Sequence, residues 1–392
     1  MNLLRTSALL AAAVLANATA STAAVHKVAS GQSIQEAIDA AAPGDTILVD
    51  PGVYEETGAG NAFFGLRIAT DDLRLIGKVD ETAGEAGKVR LVWNGTEDQR
   101  TGVYAAPAAC GPEIGVGDCA DQLEGFYIRG FSVEDFPRHG IQTRFVDGFT
   151  ILGNASVRNL ENGIYPTISA NGLVQENVSY GSLDTAMWVA ASENVRVIDN
   201  EMHSSVLGLE ITVSDDVEVK QNDIHGNTVG VGLFHPNAAG NAQIGEMNNW
   251  VIEQNHIHDN NLFPNPAPLG SFQAGLPPGA GVLLLGVSDH VVSKNVVENN
   301  GLVGIAVLGW CTAVNDVPGR NCFEYPPQAD PAANNNVVSQ NTVLNNGFFG
   351  TPLSADITYL EFEGSSGNCF EKNKPGGFTF ISSEGTLPTD GC

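Results

Sequence analysis

The chain has 392 residues, and 45 Asp and Glu against 18 Lys and Arg give it a formal net charge of -27. So acidic a chain argues against nucleic acid or an anionic membrane as a partner, and it makes a polyanionic sugar awkward unless basic residues collect in one place. No composition shift marks a second domain, so one folding unit is expected.

Residues 1–24 run from Met1 to Leu4 through Arg5, an apolar stretch from Ala8 to Ala16, and small residues ending in "TASTAAV". This is the pattern of a secretory signal peptide, and it predicts a periplasmic or secreted protein that starts near Val25. Removing it takes away Arg5 and no acid, which moves the charge from -27 to about -28. No later stretch reaches the roughly 20 apolar residues of a membrane span. Six cysteines fall as three close pairs, Cys110 with Cys119, Cys311 with Cys322, and Cys369 with Cys392. In an exported chain they suggest three local disulfides, although six cysteines allow fifteen connectivities.

"GQSIQEAIDAAAPGDTILVDPGVY" opens the mature chain. Ser33 with Glu36 forms a capping box, and Ile34, Ala37, Ile38 and Ala41 mark one apolar face, so a short helix is expected there, broken by "PGD" before the strand "TILV". Such a helix would cover the open end of a repeat array. Irregular early repeats follow from Arg67 to Gly148, including "LRLIGK" and "YIRGFSVEDF".

The segments "TILGNASVRN", "LVQENVSYGS", "RVIDNEMHSS", "EVKQNDIHGN", "VIEQNHIHDN", "VVSKNVVENN" and "VVSQNTVLNN" then align without gaps. Asn154, Asn177, Asn200, Asn222, Asn255, Asn295 and Asn341 fall in one column, at separations of 23, 23, 22, 33, 40 and 46 residues. The short spacing is one turn of a solenoid, and the longer ones carry inserted loops. A second polar column lies five residues on: Asn159, Ser182, Ser205, Asn227, Asn260, Asn300 and Asn346. Between the two, Met202, Ile224, Ile257 and Val297 mark a buried position. Short alternating strands with stacked turn Asn describe a chain coiling into parallel sheets.

The same register stacks His203, His225 and His258 about 4.8 Å apart, one per coil. A straight ladder of imidazoles is a poor tetrahedral cage, so a solvated or hydrogen-bonded stack is favoured there over a metal site. No cofactor is expected. Calcium is left open, without a loop of the EF-hand or nonapeptide kind.

Strands after the second polar column, "RHGIQTR", "ENGIYPT", "DTAMWVA", "VLGLEIT" and "TVGVGLF", align with Ile141, Ile164, Met187, Leu209 and Val231 inward. Alternation sends Gln142, Tyr165, Trp188, Glu210 and Gly232 outward, and beyond them Arg144, Thr167, Ala190, Thr212 and Phe234. Arg138, His139, Glu161, Asn162 and Asp184 lie just upstream. Flat aromatic faces flanked by carboxylates and Arg suit sugar rings, so these residues predict an elongated glycan groove. Gln142, Glu161, Asn162, Asp184 and Trp188 are its binding candidates; Arg138, His139, Arg144, Tyr165 and Glu210 are its catalytic ones. Leu283, Leu285, Ala306 and Leu308 take the outward positions further on, a surface expected to hold the insert "LFPNPAPLGSFQAGLPPG".

The capped start, the Asn columns and the coil period resemble the right-handed parallel β-helix proteins of the pectin-lyase-like superfamily, nearest to exported bacterial proteins named only for their β-helix repeats. "GIYPTISANGLVQENV", "GLEI", "NNLFPNPAPLG", "PPGAGVLLL" and "GNCF" carry the likeness over nearly the whole mature chain. The resemblance implies an all-β solenoid: a capped helix over residues 25–350 and a disulfide-stapled tail over residues 351–392. For activity it implies a polysaccharide partner, with a lyase or C5-epimerase on a uronic-acid glycan ranked first. The alternatives are a non-catalytic glycan-binding or structural and interaction protein of the cell envelope, and hydrolysis by a carboxylate pair among Glu161, Asp184 and Glu210. The chain departs from the better-known members: "DPH" of mannuronan epimerases is absent, with only "FPRHG" and "FHPN" as echoes. So are "NTD", "DD" and "RIK" of polygalacturonases and the "RxPxxR" pair of pectate lyases. No catalytic residue is carried over from them.

Overall fold

The computed structural model describes residues 23–57, 62–110, 119, 121–235, 247–314, 330–360, 364–389 and 392. Residues 1–22 of the expected signal peptide, Cys322 and part of the loops around residues 240 and 320 lie outside them.

Among the described residues the strands assemble into three parallel sheets of 12, 10 and 11 strands, each coil contributing one strand to each sheet in turn. This is a parallel β-helix. The first sheet carries strands such as Ala170–Gln175 and Glu193–Ile198, the second the three-residue strands such as Asp223–His225 and His256–His258, and the third strands such as Asn162–Thr167 and Thr185–Ala190. The turn before each column Asn is made by one residue in the left-handed region: Glu176 (φ 55), Asp199 (φ 55), Gln221 (φ 58), Gln254 (φ 58), Lys294 (φ 56) and Gln340 (φ 57). That conformation is unfavourable for a residue with a Cβ, and the hydrogen bonds of the next residue offset it.

Asn255 shows how. Its Nδ2 donates to Val219 O at 3.0 Å and to Asn295 Oδ1 at 3.0 Å, while its Oδ1 accepts from Asn222 N and Nδ2, both at 2.9 Å. Every polar atom of a fully buried side chain is used, which is the condition for burying it. The ladder runs on into the C-terminal segment: Asn341 N donates to Asn373 Oδ1, and Asn346 N to Asp356 Oδ1. Strands Ala355–Leu360, Cys369–Glu371 and Phe380–Ser382 extend the sheets. The helical coil therefore does not stop near residue 350, and the expected capping tail is in large part another coil, because Asp356, Asn368 and Asn373 supply the missing ladder positions.

Inside, Ile141, Ile164, Met187, Leu209 and Val231 are paired in register and belong to one continuous apolar core. The capping helix spans Ile34–Asp39, with Ser33 Oγ accepting from Glu36 N. Glu56, rather than Glu36, completes that cap, accepting from Ile34 N at 2.6 Å and Ser33 Oγ at 2.7 Å. Cys110–Cys119 and Cys369–Cys392 are bonded. Disulfides fit an oxidising compartment such as the periplasm or the cell exterior, and no helix among the described residues is long and apolar enough to cross a membrane.

Candidate active site

The outward face of the third sheet carries the predicted residues in the predicted register. Gln142 pairs with Tyr165, and Trp188 with Glu210. The one-coil offset stacks Tyr165 on Trp188, with ring centroids 4.7 Å apart and planes only 12° from parallel, and the His139 ring lies 4.8 Å from that of Tyr165 at a tilt of 49°. Tyr165 and Trp188 are half-buried, and Trp188 is fixed by its Nε1 donating to Thr212 Oγ1 at 3.0 Å. Burial of the phenol pushes the Tyr165 hydroxyl up to about 12.

Beside the stack lies a cleft of about 490 Å³ lined by Glu161, Asp184, Leu183 and Pro137 from the coils and by Pro268, Ser271 and Gln273 from the Pro-rich insert. Glu161 is held by Arg138, whose Nε donates to its Oε2 at 2.6 Å. Burial alone would raise the Glu161 carboxyl, but Arg138, through its hydrogen bond and its charge, and Arg100 hold it below the ordinary carboxylate value. One coil further, Thr185 Oγ1 stands 3.0 Å from Asp184 Oδ1 and 3.0 Å from Glu210 Oε2. The nearest oxygens of the two carboxyls are therefore no more than twice that distance apart. Burial, with the charge of Glu161 beside it, pushes Asp184 up to about 7; burial and Asp184 raise Glu210 well above the ordinary value. At neutral pH this wall of the cleft holds a proton between two carboxyls, next to a third that stays ionised.

Several candidates are not where the sequence places them. Glu210, expected on an open groove floor, is 1% exposed, because the insert closes over this end of the sheet and Gln273 reaches Asp184. Asn162, expected at the substrate, is fully buried, and its Nδ2 lies 3.3 Å from His139 Nδ1, so it orients the imidazole. Gln142 is also buried. His139 is 2% exposed, and burial lowers it to about 4, which keeps it neutral. Arg144 lies over the ring of Phe145 and against Tyr104, away from the cleft-lining residues. Further along the sheet the insert does seat on the apolar columns, with Ala267, Phe272 and Leu276 packing on Leu283, Leu285 and Ala306. The part of the site that sequence reasoning missed is Thr185 and the insert residues Ser271 and Gln273. Thr185 directly follows Asp184, but nothing in a sequence places an 18-residue insert over a particular coil.

A family model described as the right handed beta helix region matches residues 139–323. Among curated proteins none matches in sequence. In structure the chain is similar to the A-module of the mannuronan C-5 epimerase AlgE6 of Azotobacter vinelandii, with 18% identity, a TM-score of 0.62 and 91% of each chain covered. It is also similar to the Dettilon tailspike protein, with 14% identity, a TM-score of 0.58, and 92% of this chain and 60% of that one covered. A third is the catalytic unit of the GH87 alpha-1,3-glucanase of Streptomyces thermodiastaticus, with 14% identity, a TM-score of 0.54, and 91% and 65% covered. The chain thus has the fold of a right-handed parallel β-helix.

Proposed function

We propose that the protein acts on a glycan bound along the Tyr165–Trp188 stack, with Glu161 and Asp184 as the reacting carboxyls of a glycoside hydrolase. The observation that carries this reading is the pair of carboxyls on neighbouring coils that line one wall of a cleft beside stacked aromatic rings. Neighbouring coils are about 4.8 Å apart, close to the roughly 5–5.5 Å separation of a retaining mechanism. Asp184, protonated near neutrality, supplies the general acid to the leaving oxygen; Glu161, kept ionised by Arg138, supplies the nucleophile, and water later releases the sugar with Asp184 as base. Glu210 is a positioning residue that keeps the Asp184 proton in place. Arg138 is already engaged by Glu161, and the three carboxyls outnumber the two arginines beside them, Arg138 and Arg100, which favours a neutral sugar chain over a polyuronate.

Elimination or C5-epimerisation of a uronic-acid glycan, ranked first by the fold resemblance, comes second here. It is supported by His139, which is neutral and lies against Tyr165 with ring centroids 4.8 Å apart, since a neutral imidazole and a phenol are suitable proton carriers. Against it, Arg138, a cation beside the cleft that could meet the sugar carboxylate, is already bound to Glu161. A third reading is binding without reaction.

One experiment separates the three. The protein, its Asp184→Asn and Glu161→Gln variants, and a Tyr165→Ala/Trp188→Ala variant are incubated with a panel of neutral and uronic polysaccharides, following reducing ends, ultraviolet absorbance, the C5 configuration of uronic residues by proton NMR, and sugar binding. New reducing ends without absorbance, lost in Asp184→Asn and Glu161→Gln, support hydrolysis. Growing absorbance replaces it with elimination, and a changed C5 configuration replaces it with epimerisation. Binding that only the aromatic variant loses, with no product, leaves a binding protein.

A further inference from the structure

On the second sheet, apart from the cleft, two outward columns run side by side. One holds Glu201, Asp223 and His256; the other holds Tyr180, His203, His225, His258 and Glu298. The rings of the second column stack face to face, at 4.7 Å for Tyr180–His203, 5.2 Å for His203–His225 and 5.0 Å for His225–His258. Across the two columns three groups converge: the His256 and His258 rings lie 3.9 Å apart with planes 22° from parallel, Asp223 Oδ1 lies 3.0 Å from His258 Nε2 and 3.7 Å from His256 Nδ1, and one ligand atom from each of the three residues falls within 4.8 Å of the others.

We propose that Asp223, His256 and His258 bind one divalent transition-metal ion of the zinc class. At metal–ligand distances of about 2.0–2.2 Å, ligand atoms around such an ion stand roughly 3–3.5 Å apart; the three groups are already within 4.8 Å of one another, and turning the two stacked rings toward a common point lets them share one. The second observation is at the far side of each ring. His256 Nε2 lies 3.0 Å from Glu298 Oε1, and His258 Nδ1 lies 2.8 Å from Asp259 Oδ2. A carboxylate at the remote nitrogen takes the ring proton there, fixes the tautomer and leaves the lone pair on the near nitrogen, the usual support of a metal-bound histidine. With their remote protons so placed, the near nitrogens and the Asp223 carboxylate are three acceptors facing one another, an arrangement that a cation relieves. Two imidazoles and one carboxylate are ligands of borderline softness, suited to zinc and its neighbours rather than to calcium. Asp223 and His256 are about half exposed, which leaves further coordination positions to solvent. The site joins adjacent coils, since Asp223 sits on one turn and both histidines on the next.

The test uses untagged protein freed of metal by a chelator, titrated with zinc against a chromophoric competitor, with calcium and magnesium as comparison ions. The expected result is one zinc per chain, with affinity at least tenfold weaker in His256→Ala and in His258→Ala. Asp259→Asn and Glu298→Gln, which keep all three ligands, are expected to weaken binding by roughly 10- to 100-fold, and His203→Ala to leave it unchanged. Each variant changes a surface side chain, and its melting temperature without metal checks that it folds. The proposal is overturned if stoichiometric zinc binding is absent, if it survives in the His256→Ala/His258→Ala double variant, or if His203→Ala weakens it as much as His258→Ala does.

Discussion

Changing Glu210 to Gln tests the electrostatics of the cleft directly. A carboxyl whose pKa is raised by folding binds its proton more tightly in the folded than in the unfolded chain. Stability then falls as pH climbs through the interval between the two values, and the loss is complete above the raised one. For Asp184 the interval runs from 3.8 to about 7; for Glu210 it starts at 4.5 and ends well above it. At about 1.4 kcal/mol per pKa unit, the Asp184 interval alone sets a scale of about 4 kcal/mol. The two carboxyls share one buried place, so neither carries the whole. Gln keeps an oxygen for Thr185 Oγ1 and removes one of the charges. We expect Glu210→Gln to raise stability by about 1–3 kcal/mol near pH 8 and by less than about 1 kcal/mol near pH 5. Urea unfolding followed by Trp fluorescence at both pH values reads the difference as a shift in midpoint at unchanged slope. Equal gains at the two pH values, or a loss near pH 8, would refute the shared-proton description and with it the acid assigned to Asp184.

Three further outcomes follow from named contacts. Asn255→Ala removes four hydrogen bonds, strands the Asn222 backbone amide in the core and leaves the Asn222 side-chain nitrogen with only its bond to Val197 O; at roughly 1 kcal/mol per bond, with an added cost for a buried unpaired donor, a loss of about 3–5 kcal/mol is expected in the same urea assay, and less than about 1 would sink the ladder account. The His139 imidazole, lowered to about 4 by burial, should stay neutral at every pH above about 5 when its ring resonances are followed by NMR; titration near the ordinary value would mean that water reaches the ring. Deleting residues 264–276 uncovers Leu283, Leu285 and Ala306, so the shortened chain should associate with rising concentration in size-exclusion chromatography. A stable monomer would show that the insert is not what covers that face.

The parallel coil, its inward residues and the register of the third sheet were legible because a solenoid repeats its constraints. Each buried Asn can be satisfied only by an Asn or its equivalent one coil away, so the columns stand out even where the coils are 33 to 46 residues apart. The end of the coil was not legible, because there the ladder passes to Asp356, ten residues after Asn346, in a segment with no matching motif. The stack of Tyr165 and Trp188 was readable from period two and the coil length together. The burial of Glu210 and Asn162 was not, since it depends on where a long insert lies and on which neighbour an amide chooses.

The histidines show the same division more sharply. Aligning "EVKQNDIHGN" over "VIEQNHIHDN" places Asp223 opposite His256 as plainly as it places His225 opposite His258. A search down one column finds only stacked rings, whereas the convergent nitrogens belong to two columns at once. Side chains two apart on a strand share a face, and a solenoid adds a neighbour on the next coil. Its surface sites are therefore compact patches, two residues along the strand by two or three coils. Both the carboxyl wall of the cleft and the Asp–His–His cluster have that shape. In such a fold a function is to be sought in blocks of the aligned repeats, with the inserts that fold over them, and only rarely in a contiguous motif.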